Sequence, residues 1–252
     1  MKKKILCLGM ALLLTLTAGA AMAEAAATEI TLADSGIVIP AGMQNVKAEG
    51  SVLTITGAGS YTVTGSLSNG QIVVDANKED EIELTLNGVD VACASSAPLA
   101  VRKADKVKLV LANATENVFS DENVERDESA CIYSTEDLTI KGDGKLTVYA
   151  NYKNGIVSKD DLKVHGGVLV VTAVNNALKG NDSVTLSDCD VTVISCEDGI
   201  KSTKDEDGKG TITIENATLT VTATDDAITA PRFVSVTNST LSLTTVEEKA
   251  EE

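Results

Sequence analysis

The sequence predicts an all-β protein: a parallel β-helix of about seven coils, with three short strands in each coil. A motif in which a polar residue is followed by a small residue and then by an aliphatic one recurs at spacings of 25, 22, 22 and 28 positions. Short runs of alternating apolar and polar residues fall three times in each repeat, which is typical of half-buried strands. Only 2% of residues are aromatic, so β-branched and other aliphatic residues must fill the core.

The recurring motif sets the period of the fold. A repeat near 22 residues indicates a solenoid, because each coil buries its inner side chains only by stacking on its neighbours. Equivalent residues of stacked coils lie about 4.8 Å apart, so one polar residue per coil forms a polar row. The five copies are Ser129-Ala130-Cys131-Ile132, Asn154-Gly155-Ile156, Asn176-Ala177-Leu178, Asp198-Gly199-Ile200 and Asp226-Ala227-Ile228.

The N-terminal residues predict export. Met1-Lys2-Lys3-Lys4 is basic, Ile5 to Ala21 is apolar, and Ala21-Met22-Ala23 fits a cleavage site. We therefore expect residues 1–23 to be a signal peptide and the mature protein to be secreted or attached to the cell surface. A membrane anchor is the alternative, but the apolar stretch is short for a span.

The remaining segments follow in order. We expect residues 24–49 to be a lead-in segment that caps the first coil, and residues 50–245 to form the β-helix. Residues 113–128 carry mixed charge and predict an exposed loop, and residues 246–252 predict a charged tail that frays. A three-blade propeller or a β-sandwich is the alternative fold, and sandwiches lack a strict 22-residue period.

The chain carries a net charge of −16. So much negative charge argues against nucleic acid as a partner, and against direct contact with acidic polymers unless cations bridge the two. Solubility, adaptation to salt, and metal binding each account for such a surface. No segment after the signal peptide predicts a membrane span, and we expect a monomer.

The polar row predicts calcium as a cofactor. Calcium takes six to eight oxygen ligands, and two carboxylates one coil apart repel each other unless a cation lies between them. For the Asn members, a ladder of stacked amides is the alternative. The predicted metal ligands are Asp198, Asp226, Asp225, Glu197, Asn176 and Asn154.

A second acidic group offers a looser calcium site. Asp205 and Asp207 share a long turn, and Asp182 belongs to the equivalent turn one coil earlier. An EF-hand is excluded because Ile214 stands where that loop needs its bidentate glutamate. A solvated loop is the alternative.

Two lysines and three tyrosines are candidates for contact with sugar. Lys179 and Lys201 occupy equivalent places in neighbouring coils, and a lysine beside calcium could abstract the C5 proton of a uronic acid. Neutralisation of nearby carboxylates is the simpler role for both. Tyr133, Tyr149 and Tyr152 come from one coil and are the predicted stacking residues. No catalytic residue is assigned.

The cysteines and the single histidine carry less information. Cys93, Cys131, Cys189 and Cys196 remain after cleavage, and they either pair as disulfides or serve as small core residues. His165 lacks a second histidine or a cysteine at ligand spacing, so a zinc site has little support.

Several segments together resemble a known family. They are Gly57–Leu67, Gly70–Asp75, Leu84–Val91, Asp137–Val148 and the repeated Asp-Asp/Gly/Ala-Ile motif. Over residues 50–245 the chain resembles the bacterial secreted calcium-binding β-helical carbohydrate-binding domains, which are related in shape to pectate lyases. The resemblance implies a right-handed β-helix, calcium, and binding of plant polysaccharides that are pectin-like or cellulose-like. Lys153-Asn154-Gly155 and Asn175-Asn176-Ala177 depart from the Asp-Asp-Gly pattern and lower the charge at those coils.

Three functions are consistent with these observations. The first is a non-catalytic, calcium-dependent polysaccharide-binding protein, for an acidic polysaccharide because aromatic platforms are scarce. The second is a pectate-lyase-like polysaccharide lyase that uses calcium with Lys179 or Lys201. The third is a surface adhesin or structural solenoid with a protein partner. The sequence leaves catalysis open and favours the first function.

Overall fold

The structure is a computed structural model that describes residues 29–195 and 197–246. The predicted signal peptide, Cys196 and residues 247–252 of the predicted tail lie outside the described residues. Every regular element of the described residues is a strand. No helix in this part of the chain is long and apolar enough to cross a membrane. In chain order the strands are β1 (Ile30–Leu32), β2 (Val46–Glu49), β3 (Val52–Ile55), β4 (Gly59–Leu67), β5 (Gln71–Asp75), β6 (Glu81–Cys93), β7 (Leu99–Lys103), β8 (Lys106–Leu111), β9 (Glu116–Asp121), β10 (Ala130–Ser134), β11 (Asp137–Gly142), β12 (Lys145–Ala150), β13 (Asn154–Ser158), β14 (Asp161–His165), β15 (Val168–Ala173), β16 (Leu178–Gly180), β17 (Ser183–Ser187), β18 (Asp190–Ser195), β19 (Ile200–Ser202), β20 (Thr211–Glu215), β21 (Thr218–Ala223), β22 (Ile228–Thr229), β23 (Phe233–Thr237) and β24 (Thr240–Thr245).

The strands stack as a right-handed parallel β-helix, which confirms the predicted fold class. Strands β2-β3-β5-β7-β10-β13-β16-β19-β22 form a nine-stranded sheet, called here sheet 1. A fifteen-stranded sheet, sheet 2, covers the other two sides of each coil and is continuous across the long strand β6. The described residues make about eight coils rather than the predicted seven, because β3 and β4 form a coil of their own.

The aliphatic residue of the motif lies in the core, at matched register in successive strands of sheet 1. Ile132 pairs with Ile156, and the row continues through Leu178, Ile200 and Ile228. The first copy of the motif is shifted by one residue relative to the prediction, because Ala130 and not Ser129 pairs with Asn154. The polar row therefore begins at Asn154.

The prediction of an exposed loop over residues 113–128 is partly wrong, because strand β9 lies within that segment. Strand β9 pairs in parallel with both β6 and β12, and its Phe119 is fully buried. The mixed charge of the segment hid a short alternation of buried and exposed residues. The exposed connection is confined to residues 122–129, called here the 122–129 loop.

A buried ion pair holds the 122–129 loop against the coil. Arg126 contacts Asp121, and the two side chains are 4% and 0% exposed. The Asp121 Oδ1 atom also accepts the backbone N–H groups of Asn151 at 2.6 Å and Tyr152 at 3.2 Å. The Arg126 guanidinium lies 4.6 Å from the centre of the Tyr152 ring. Burial raises the pKa of Asp121, and the neighbouring Arg126 limits that rise.

The lead-in residues that the structure describes cover the first coil. Strand β1 adds to β4 in parallel, and β2 forms an antiparallel hairpin with β3. The partly buried side chains that pack against the core from this segment are Ile37, Ile39, Met43 and Val46.

The last coil shows how much burial depends on stacking. Val234 and Val236 of β23 are 42% and 45% exposed. Their register partners one coil earlier, Ile212 and Ile214, are fully buried. Each coil therefore completes the burial of the coil before it.

The next coil limits the size of the side chain at the small position of the motif. A Cβ atom on Gly155 would lie 2.6 Å from the Ala177 carbonyl oxygen and still closer to the Val171 Cγ1 atom. We expect Gly155→Ala to lower the free energy of unfolding by about 1–3 kcal/mol through overpacking. The matched control Ala177→Gly, in the same row, should cost about 0.5–1 kcal/mol. Urea unfolding followed by circular dichroism measures both, and equal costs would contradict this account.

Candidate functional site

The polar residues of the motif lie at one corner of the β-helix, just before the strands of sheet 1. Asn154 begins β13, and Asn176, Asp198 and Asp226 each lie two residues before a register-matched aliphatic residue. Backbone hydrogen bonds join the corner from coil to coil, including Ala177 N–H to the Asp198 carbonyl at 3.1 Å. The predicted polar row therefore exists as a stack.

The Asn members form an amide ladder. The Asn154 Nδ2 atom donates to the Ser129 carbonyl at 2.7 Å, and the Asn176 Nδ2 atom donates to Asn154 Oδ1 at 2.7 Å. Asn154 Oδ1 also accepts the Asn176 backbone N–H at 3.1 Å. Because these two donors occupy its only side-chain oxygen, Asn154 lies in the amide ladder that is the alternative to a metal site for the Asn members.

Asn176 ends the ladder with an oxygen that has no partner. The residue is 7% exposed, and its Oδ1 atom is buried without a hydrogen bond. Since the Nδ2 atom is directed at Asn154, the Oδ1 atom is directed away from that coil and toward the coil of Asp198. An unpaired buried carbonyl-type oxygen is unfavourable unless a donor or a cation meets it.

Three carboxylates converge in the two coils that follow Asn176. Asp198, Asp225 and Asp226 each place one carboxylate oxygen within 4.8 Å of the others, and no other such acidic group occurs in residues 29–195 and 197–246. Asp198 is only 2% exposed, whereas Asp225 and Asp226 face solvent. The Asp198 Oδ1 atom accepts the Asp226 backbone N–H at 3.2 Å. This group of carboxylates is called here the Asp198 cluster.

The Asp198 cluster suits a hard divalent cation. Three carboxylates and the Asn176 amide oxygen are oxygen donors, the ligand type that calcium prefers. Backbone carbonyls or water would supply the remaining ligands of a coordination shell of six to eight. Glu197 is exposed and lies outside the group of converging carboxylates.

The lysines of sheet 1 lie beside the Asp198 cluster. The Lys201 Nζ atom is 2.5 Å from Asp198 Oδ2, and Lys201 pairs in register with Lys179. Burial lowers the pKa of Lys179, and the nearby ammonium groups of Lys159 and Lys201 lower it further. Sequence reasoning missed Lys159, because the equivalent positions one and two coils later hold Asn181 and Thr203 and show no repeat.

The second predicted calcium site is not assembled. Lys204 and Lys209 contact Asp182 at 2.5 and 2.7 Å, while Asp205 and Asp207 contact Arg232 at 2.6 and 3.4 Å. Burial of Asp182 favours its neutral form, but the hydrogen bonds from the two lysines outweigh burial and lower its pKa. Asp182, Asp205 and Asp207 are not among the carboxylates that converge in the described residues, and each lies in an ion pair instead.

The three tyrosines do not form one platform. Tyr133 lies in sheet 1, and Tyr149 is 48% exposed on sheet 2. Tyr152 is buried, with the cations of Arg126 and Lys153 at 4.6 and 4.8 Å from its ring centre. Tyr133 alone lies near the lysines, with Lys159 Nζ at 5.9 Å from its ring centre.

The described cysteines are core residues. Cys93, Cys131 and Cys189 are buried free thiols, and burial raises the pKa of Cys189 to about 11. His165 is exposed and its Nδ1 atom lies 3.5 Å from Asp188. Cys196, for which the sequence leaves a disulfide or a core position open, lies outside the described residues.

Comparison with known proteins places this geometry in a family. Residues 49–252 match the family model described as carbohydrate-binding domain-containing protein. A carbohydrate-binding domain-containing protein of Acetivibrio thermocellus is 38% identical over 193 residues, which are 73% of this chain and 68% of that protein. The solved structure of the polysaccharide lyase-like protein from C. thermocellum, a gadolinium derivative, is similar with a TM-score of 0.78 and 36% identity. The match covers 88% of this chain and 96% of that chain.

A family model that spans most of the chain, a relative of 38% identity and a shared β-helix agree with each other. This chain belongs to the family of carbohydrate-binding domain-containing proteins.

Proposed function

We propose that this protein is an exported, non-catalytic polysaccharide-binding protein whose binding depends on calcium at the Asp198 cluster. The convergence of Asp198, Asp225 and Asp226, in the coils that follow the unpaired Asn176 oxygen, carries the proposal. Membership of a carbohydrate-binding family supports the polysaccharide as partner. The basic and apolar start of the chain supports export.

The electrostatics favour an acidic polysaccharide, pectin-like rather than cellulose-like. A chain with a net charge of −16 repels a polyuronate, and bound calcium offers a bridge between the two sets of carboxylates. Lys179 and Lys201 lie beside the cluster, Lys159 lies near Lys179, and all three are suited to sugar carboxylates. Stacking of neutral sugars on aromatic rings has little support, because the described tyrosines are dispersed.

Binding with and without calcium tests the proposed function. The protein is incubated with insoluble polygalacturonate or with cellulose, in calcium or in a chelator, and the bound fraction is measured. We expect retention on polygalacturonate in calcium and at least about a tenfold loss of affinity in chelator, equivalent to one calcium bridge worth roughly 1.4 kcal/mol. Equal retention in calcium and in chelator would contradict calcium dependence, and no retention on either polymer would contradict the proposed function.

A polysaccharide lyase is the second candidate. The lowered pKa of Lys179, caused first by burial, brings its amine closer to the range of a general base. The similarity to a solved polysaccharide lyase-like protein also favours a lyase. The same mixtures distinguish the two functions, since a lyase releases unsaturated products that absorb ultraviolet light and a binding protein does not. If calcium removal leaves both stability and polysaccharide binding unchanged, a surface adhesin with a protein partner is favoured instead.

A further inference from the structure

The ammonium group of Lys201 contacts Asp198, the most buried member of the Asp198 cluster. Its ammonium group lies 2.5 Å from Asp198 Oδ2, and the Asp226 backbone N–H already occupies Asp198 Oδ1. Asp198 is 2% exposed, so its side chain has little freedom to turn toward a second cation. Lys201 is one third exposed, and its flexible stem allows it to move.

A divalent cation and this ammonium group compete for the negative charge of Asp198. Calcium binds carboxylate oxygens at about 2.3–2.6 Å, which is the distance at which the Lys201 nitrogen now lies. Two positive charges at such close range repel each other, and the other two carboxylates of the cluster, Asp225 and Asp226, face solvent. We therefore expect a calcium ion that takes Asp198 as a ligand to displace Lys201.

Other lysines lie on the same face of sheet 1 as Lys201. Lys201 pairs in register with Lys179 on the outward side of sheet 1, and Lys159 lies close enough to Lys179 to influence its pKa, as Lys201 does. Freed from Asp198, Lys201 adds a third positive charge to this patch. Asp198 and Glu197 also lie near Lys179, and a Lys201 ammonium group released from its ion pair shifts the balance of charge in this patch toward attraction of an anion.

We propose that Lys201 is a tethered counter-cation of the Asp198 cluster, and that calcium releases it to bind the carboxylates of an acidic polysaccharide. The inference rests on the proposed function and adds its regulation: calcium and polysaccharide promote each other's binding through one lysine. By linkage, the polysaccharide raises the affinity for calcium by the same factor as calcium raises the affinity for the polysaccharide.

Calcium titration of a lysine variant tests the displacement without any polysaccharide. In isothermal titration calorimetry we expect Lys201→Met to bind calcium about fivefold more tightly than the wild type, because an ion pair of ordinary strength no longer competes. Lys163→Met is the control for the change of charge, since it removes the same charge and a more exposed ion pair with Asp161 at 3.0 Å on sheet 2. Its calcium affinity should stay within about twofold of the wild type.

A chemical footprint tests the release itself. We expect calcium to increase the rate of acylation of Lys201 by an amine-reactive ester about twofold or more, as measured by peptide mass spectrometry, because the amine loses its carboxylate partner. The rate at Lys163 should not change. Oligogalacturonate binding to Lys201→Met should then show a smaller gain from calcium than binding to the wild type.

The outcomes separate the two proposals. If the wild type binds calcium and Lys201→Met binds it equally or more weakly, the displacement is wrong and the proposed function stands. If calcium leaves the acylation of Lys201 unchanged in a protein that binds calcium, the release is wrong. If neither protein binds calcium, both the counter-cation and the calcium-dependent function are overturned.

Discussion

Replacing Arg126 by methionine is expected to lower the free energy of unfolding by about 3–5 kcal/mol at neutral pH, which is the usual cost of leaving one buried charge without its partner. The Asp121 side chain is completely buried, and Arg126 is its cationic partner. The variant also removes the contact with the Tyr152 ring and the hydrogen bond from the Arg126 Nη1 atom to the Glu122 carbonyl at 3.1 Å. Urea unfolding followed by circular dichroism measures the loss.

The loss should depend on pH in a defined direction. Burial already raises the pKa of Asp121, and removal of Arg126 raises it further. A carboxyl group whose pKa is raised in the folded state stabilises the fold below its unfolded pKa of about 4, and this contribution is lost as the pH rises through the folded pKa. We therefore expect Arg126→Met to be closest to the wild type below about pH 4 and furthest from it at neutral pH.

The double variant Asp121→Asn/Arg126→Met is the control for this interpretation. The asparagine retains an oxygen that can accept the Asn151 and Tyr152 N–H groups, and it removes the charge that Arg126 neutralises. We expect the double variant to recover a large part of the lost stability. A double variant that is no more stable than Arg126→Met would show that Arg126 acts through packing and not through the charge of Asp121.

Asp198→Asn is expected to weaken calcium binding by more than about 100-fold, beyond the 10–100-fold loss that is typical of removing a supporting partner around a metal. The substitution removes the most buried negative charge of the Asp198 cluster. The fold should tolerate it, because Asn154 and Asn176 occupy the same row and the amide oxygen can still accept the Asp226 N–H. Isothermal titration calorimetry measures the affinity, and thermal unfolding without calcium checks the fold.

Asp188→Asn provides the matched control for Asp198→Asn. It makes the same change of charge at a turn between sheet strands, where Asn216 and Asn238 stand in later coils with the same positive φ near 50°. Calcium affinity should change by less than about threefold in this control, as expected for an exposed charge that strand β18 separates from Asp198. Equal losses in the two variants would show that calcium follows the overall charge of the protein and not the Asp198 cluster.

The sequence predicts the fold well because the fold is repetitive. A period of 22 residues and strict alternation place Ile156, Leu178 and Ile200 in the core without any information about long-range contacts. The elements that escaped prediction occur once. Strand β9 breaks the period with mixed charge, and the Asp121–Arg126 pair joins residues from a single connection.

The site was predictable only in part for the same reason. The row containing Asp198 and Asp226 follows from the repeat, and Asp225 follows as a neighbour in sequence. The partners of each carboxylate do not follow from the repeat. Asp182 is held by Lys204 and Lys209, which come from the longest turn, and Lys201 meets Asp198 by the conformation of its own side chain. The repeat predicts where a residue lies in its coil. It does not predict which partner a long, flexible side chain contacts in the folded protein.

The amide ladder gives this corner of the β-helix an electrostatic polarity. Each side-chain amide is a small dipole, positive at its NH₂ end and negative at its oxygen. Asn154 and Asn176 point the same way, from a donor at the Ser129 carbonyl to an unpaired oxygen at Asn176 Oδ1. Aligned hydrogen-bonded dipoles polarise one another. The two amides therefore act as one larger dipole, with its negative end toward the coil of Asp198. Two neutral residues thereby add to the attraction of a cation, at a position where a further carboxylate would add repulsion.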